Sequence, residues 1–99
     1  MSDSNNILSY LKDNKDRLLN DYHLTKIGLF GSMARGEQND TSDIDLAIEF
    51  EPNTPDLYSL KLKLKEEIQS KFDRQVDICR LKYIKPIFKS QIQAEIKYV

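Results

Sequence analysis

Between Asp43 and Phe50 the chain reads DIDLAIEF, with apolar residues at every second position: Ile44, Leu46, Ile48 and Phe50 against Asp43, Asp45, Ala47 and Glu49. A period of two matches a β-strand, whose successive side chains point to opposite faces. A face this apolar has to be covered by other elements, so the strand predicts a layered domain around it. The same alternation turns Asp43 and Asp45 to one side. Carboxylates held close repel each other, which makes sense where a divalent cation neutralises them, and magnesium takes oxygen ligands. The pair suits the solvent-facing end of an ordinary strand equally well.

The flanking segments supply the covering elements. Leu24 to Phe30, LTKIGLF, is a short apolar run ending at Gly31 and reads as a buried strand. SMARGE follows, with Ser32 as a capping residue and Gly36 as a C-terminal glycine for one or two turns of helix, then a polar loop, EQNDTS. Upstream, Ser4 is expected to cap one helix carrying Ile7, Leu8, Leu11, Leu18 and Leu19 on one side. Downstream, the prolines of EPNTP interrupt the pattern. Leu57, Leu60, Leu64, Ile68 and Phe72 then recur at helical spacing. LKLKLK could pass for a strand, but the stripe runs beyond it and no β-branched residue occurs before Ile68. In RQVDICRL, Val76 and Ile78 face one way and Asp77 and Cys79 the other. Pro86 suits the first turn of a last helix with Ile84, Phe88, Ile92 and Ile96 every four residues. The order helix, strand, short helix, strand, helix, strand, helix describes an α/β (α+β) domain, a small sheet covered by helices, with strand polarity open.

A length of 99 residues allows one core, so a single domain over residues 1–99 is expected. The net charge of −1 argues against duplex nucleic-acid binding driven by counterion release. Arg80, Lys82, Lys85, Lys89 and Lys97 stand against Glu95 alone in the last twenty residues, a bias that suits a solvated helix face. Cys79 is the only cysteine, so no intrachain disulfide or multi-cysteine zinc site can form. With no secretory signal and no membrane-spanning stretch, a cytoplasmic, soluble protein is expected. His23 has no second ligand near it in sequence and reads as a boundary residue. Tyr98 and the other tyrosines read as packing or interface residues, Cys79 as a small strand residue bordering a pocket. Among Leu60, Leu62 and Leu64, one leucine outside the core would serve a partner interface.

Three features combine into a candidate site. A Gly31-Ser32 turn feeding a helix presents unpaired backbone N–H groups and a hydroxyl to an anion such as phosphate. Arg35, about one turn further on, could reach that anion from the side. Alone, this remains compatible with a plain capped turn. If the strand of Asp77 lies beside that of Asp43 and Asp45, three carboxylates converge next to the phosphate cradle.

Gly31-Ser32, ten intervening residues, Asp43-Ile44-Asp45, and later Asp77 within QVDIC resemble the Gly-Ser, Asp-x-Asp and third-carboxylate signature of the nucleotidyltransferase superfamily related to DNA polymerase beta. The GSMARG form and the length resemble the minimal nucleotidyltransferases (MNT) within it. The likeness runs from the first strand to the final helix and the EIKYV ending. It implies a polymerase beta-like fold with a small mixed sheet. It also implies that Asp43 and Asp45 ligate two Mg2+ ions and that Asp77 helps hold the catalytic ion and activates the incoming hydroxyl. Gly31 and Ser32 would grip the triphosphate of ATP, and Arg35 would contact phosphate or the transition state. The partner implied is a HEPN-domain ribonuclease toxin, silenced by AMP transferred to its tyrosine in a hetero-oligomer, with this chain as antitoxin. Two other readings are a non-catalytic module that neutralises such a partner by contact, and nucleotidyl transfer to a small molecule such as an aminoglycoside.

Overall fold

The computed structural model describes residues 3–36 and 43–99. The alternating segment forms a strand, β2 (Ile44–Phe50), between β1 (Leu24–Phe30) on one side and β3 (Val76–Arg80) on the other. A two-residue strand, β4 (Lys97–Tyr98), extends the sheet beyond β1, giving the order β3-β2-β1-β4. β1 pairs antiparallel with both β2 and β4, while β2 and β3 run parallel. The sheet is therefore mixed, as the family resemblance implies. The parallel pair needs a crossover, supplied by α4 (Leu57–Phe72).

Register sorts the residues by face. Ile27 lies opposite Ile48, and Leu29 opposite Leu46, on the face that builds the core. Against them pack Ile7 and Leu11 of α1 (Asp3–Asp13), Leu18 of α2 (Lys15–Asp21), and Leu64 and Ile68 of α4, all fully buried. Gly28 opposite Ala47, and Phe30 opposite Asp45, occupy the other face. There α5 (Pro86–Glu95) leads the chain back to β4, so closely that a Cβ on Gly28 would stand 2.7 Å from Ile96 Cγ2 and 3.2 Å from the Lys97 carbonyl. Pro86 takes the first turn of α5, as its sequence position suggests.

One polar knot ties the helices of the core face together. Glu67 of α4 accepts hydrogen bonds from the Tyr10 and Tyr22 hydroxyls, each at 2.7 Å, and from Arg17 at 2.8 Å. Burial works against the Glu67 charge, but these donors outweigh it and hold the carboxyl down at about 2.

Several expectations need correction. The first helix is two helices: the Asn14 side chain donates to the Tyr10 carbonyl at 2.9 Å, the local competition that makes Asn a helix breaker. Ser4 lies inside α1 rather than before it. Ser32 likewise sits within the short helix α3 (Gly31–Arg35), whose N-cap is Phe30 without a side-chain cap. Gly36 does close α3, in the left-handed conformation at φ 73°. The EQNDTS loop lies outside the described residues. β4 went unread because two residues carry no period. α5 has the stripe of a core helix, yet none of its residues is buried. Leu62 is the exposed leucine of its trio. His23 is an exposed boundary residue with φ 55°. No helix among the described residues is long and apolar enough to cross a membrane.

Candidate active site

The site forms where β1 ends and β2 and β3 begin. Antiparallel pairing sets Phe30 against Asp45, which places Gly31 and the start of α3 directly at the Asp45 side chain. Gly31 has φ 74°, and a Cβ there would overlap an Asp45 carboxylate oxygen and stand 3.1 Å from Cγ. Only glycine meets both demands, since L side chains are strained in this region and the carboxylate occupies the space. The N-terminal turn of α3, which begins at Gly31 and includes Ser32, thus starts next to a carboxylate.

Parallel pairing of β2 and β3 makes Asp45 and Asp77 register partners, which brings together two of the three acids expected to converge. The Ile44 N–H donates to the Gln75 carbonyl at 2.9 Å and pins both strand starts at this level. Asp43 is exposed immediately before β2. The Asp45 carboxyl is pushed up, first by burial, then by the charges of Asp77 and Asp43, against which Arg35 acts. The Cys79 thiol, two residues beyond Asp77 on the same face, is pushed up by burial and by Asp77 and Asp45, with Lys61 opposing. Asp43, Asp77 and Arg35 all influence the Asp45 charge, but the expected convergence of all three carboxylates is not met, because Asp43 precedes β2 and has no register partner on β3. Among the described residues no three metal-ligating groups stand close enough to form a ready-made cage. Hard oxygen donors suit Mg2+, which is commonly held by one or two carboxylates plus substrate phosphates, so a pair with Asp43 nearby fits such an ion without a closed cage.

Arg35 is not simply poised for an anion: it pairs at 3.0 Å with Glu95 of α5, tying α3 to that helix. Glu95 was legible only as the single acid in a basic tail, with nothing in the spacing to join it to Arg35. A second unforeseen group is Glu49, on the same face of β2 as Asp45. It accepts from Arg80 at 2.9 Å and from the Phe50 and Lys82 N–H groups at 2.9 and 3.0 Å. Burial disfavours its charge, yet these donors hold its carboxyl low and fix the turn after β3. The signal available was an acid on the polar face of the central strand.

Comparison with known proteins agrees with this geometry. A protein of Methanocaldococcus jannaschii, provisionally named a protein adenylyltransferase, is 37% identical over 94 residues, 94% of each chain. A chain in a crystal structure of a toxin–antitoxin with AMP-PNP superposes with a TM-score of 0.67 at 30% identity, over 87% of this chain and 69% of that one. Another, from tri-AMPylated Shewanella oneidensis HEPN toxin in complex with MNT antitoxin, gives a TM-score of 0.60 at 25% identity, over 91% and 69%. The family described as "Polymerase beta, Nucleotidyltransferase" matches residues 5–99. With nearly the whole chain inside that match and the Gly-Ser turn seated on the strand carboxylates, this protein belongs to the polymerase beta nucleotidyltransferase family.

Proposed function

We propose that this nucleotidyltransferase transfers AMP from ATP, in the presence of Mg2+, to a tyrosine hydroxyl of a HEPN-domain ribonuclease toxin, and so acts as its antitoxin in the cytoplasm. The observation that carries the reading is the Asp45–Asp77 register pair with the Gly31 turn packed onto Asp45. The AMP-PNP of one similar complex and the AMPylated HEPN toxin of another support the choice of nucleotide and partner.

In this reading Gly31 and Ser32 hold the triphosphate through backbone N–H groups and the Ser32 hydroxyl, with Arg35 reaching the phosphates in exchange for Glu95. Asp43, Asp45 and Asp77 hold Mg2+, which when bound neutralises these acids and the charge that develops on the phosphoryl oxygens. Asp77 accepts the proton of the entering hydroxyl. The new O–P bond forms at the α-phosphorus as the bond to the β-phosphate breaks, and pyrophosphate leaves. The protein contributes chiefly position and charge.

The test is incubation of a HEPN-domain protein from the same genome with this chain, ATP and Mg2+, followed by mass spectrometry of the modified peptide. AMP on a tyrosine is expected. Its absence, or neutralisation of the toxin that persists when Asp43 and Asp45 are both replaced by Asn, would favour a module acting by contact alone.

A further inference from the structure

Beside the carboxylate pair lies a groove of about 410 Å³ that none of these roles uses. It opens at the edge strand β3 between α4 and the α5 region, with Cys79 at its base and Lys61, Tyr83, Lys85, Phe88 and Ile92 around it. Its surroundings are uncovered: Tyr83 is 68% exposed, Ile87 81% and Phe88 49%. On α4, Tyr58 and Leu62 are exposed one turn apart, on the helix face that also carries Lys61. Arg80 at the groove is neutralised by Glu49. No acidic side chain among the described residues forms an ion pair with Lys61 or Lys85.

We propose that this groove docks the acceptor segment of the partner protein, a stretch carrying carboxylates beside the aromatic hydroxyl that receives AMP. The inference rests on the adenylyl-transfer reading and adds where the acceptor sits and what chemistry recognises it. Order across the sheet sets the direction from which the acceptor comes. The phosphate turn abuts Asp45 from the β1 side, Asp77 is the next carboxylate, and Cys79 follows about 7 Å further along β3. In-line displacement places the entering and leaving oxygens on opposite sides of the phosphorus. With the leaving phosphates on the β1 side, the entering hydroxyl comes from the β3 side, where the groove opens. Charge at the groove selects the same occupant. Among the described residues Lys61 and Lys85 have no carboxylate partner, and Ile84, Phe88 and Ile92 line the same groove, so the complementary occupant combines acidic and aromatic groups.

Two measurements test this. Lys61→Glu with Lys85→Glu, both exposed positions, should raise KM for a HEPN-domain acceptor about tenfold or more while KM for ATP changes less than about twofold. Cys79, the sole cysteine, should be protected from maleimide labelling by the acceptor protein but not by ATP with Mg2+. Unchanged acceptor KM in the double variant would overturn the proposal, as would Cys79 labelling unaffected by the acceptor. Protection by ATP alone would assign the groove to the nucleotide and overturn it too. Protection without any partner, accompanied by dimerisation in sedimentation, would assign it to a second copy. If wild type protects Cys79 with its acceptor yet transfers no AMP, docking stands and the adenylyl-transfer reading falls.

Discussion

Gly31 and Gly36 hold nearly the same backbone conformation, φ 74° and 73°, but only one of them touches the site. Alanine at either position should cost about 1–2 kcal/mol of left-handed strain, roughly a 5–10 °C loss of Tm in a domain of this size. At Gly36 nothing lies within 4 Å of the added methyl. At Gly31 the methyl overlaps the Asp45 carboxylate and stands 3.1 Å from Cγ and 3.3 Å from Cβ, so the side chain has to swing aside. A displacement of about 1 Å in a reacting constellation costs roughly 100-fold in rate. Gly31→Ala is thus expected to lower kcat for AMP transfer about 100-fold, and Gly36→Ala to leave it within about threefold, at similar melting temperatures. Transfer assays with saturating ATP and acceptor, paired with thermal denaturation, measure both quantities. Equal activity in the two variants would refute the coupling of Gly31 to Asp45, and so would a Gly31→Ala defect explained by unfolding at the assay temperature.

Glu67→Gln should destabilise through the knot on α4. A carboxyl lowered from 4.5 to about 2 corresponds at most to about 3 kcal/mol, and with Glu67 one-fifth exposed and Arg17 more so, screening leaves about 1–2 kcal/mol. Because the folded carboxyl is the stronger acid, the contribution is present above pH 4.5 and lost as pH falls towards 2. In urea titrations the gap to wild type should narrow between pH 5 and pH 3, and a gap that does not move with pH would assign the effect to packing. Asp45 has the opposite sign: its raised carboxyl makes the charged form costly at neutral pH, and this cost disappears below the ordinary carboxylate range. Asp43→Asn with Asp45→Asn should therefore abolish transfer with unchanged or higher Tm at pH 7, and a fall beyond about 5 °C would mark the pair as structural. Arg35→Ala should raise KM for ATP about tenfold at little cost in stability, because its ion pair with Glu95 is partly exposed. An ATP KM unchanged from wild type would confine Arg35 to joining α3 with α5.

Local rules made much of this protein legible in its residues. Alternation in DIDLAIEF and VDICR gave the strands and the side to which each aspartate points, because side-chain direction follows from backbone period alone, and the Gly-Ser turn marked the join between β1 and α3. Leucine spacing gave α4, since a stripe sixteen residues long outweighs the strand-like LKLKLK inside it. What folding added depends on residues far apart in the chain. Asp45 meets Asp77 only because α4 carries the chain over to a parallel neighbour, and Gly31 meets Asp45 only through antiparallel register. Arg35 finds Glu95 sixty residues away. The stripe of α5 looks like that of a buried helix, but packing leaves it half open beside β3, because periodicity tells which residues share a face and not how completely another surface covers it.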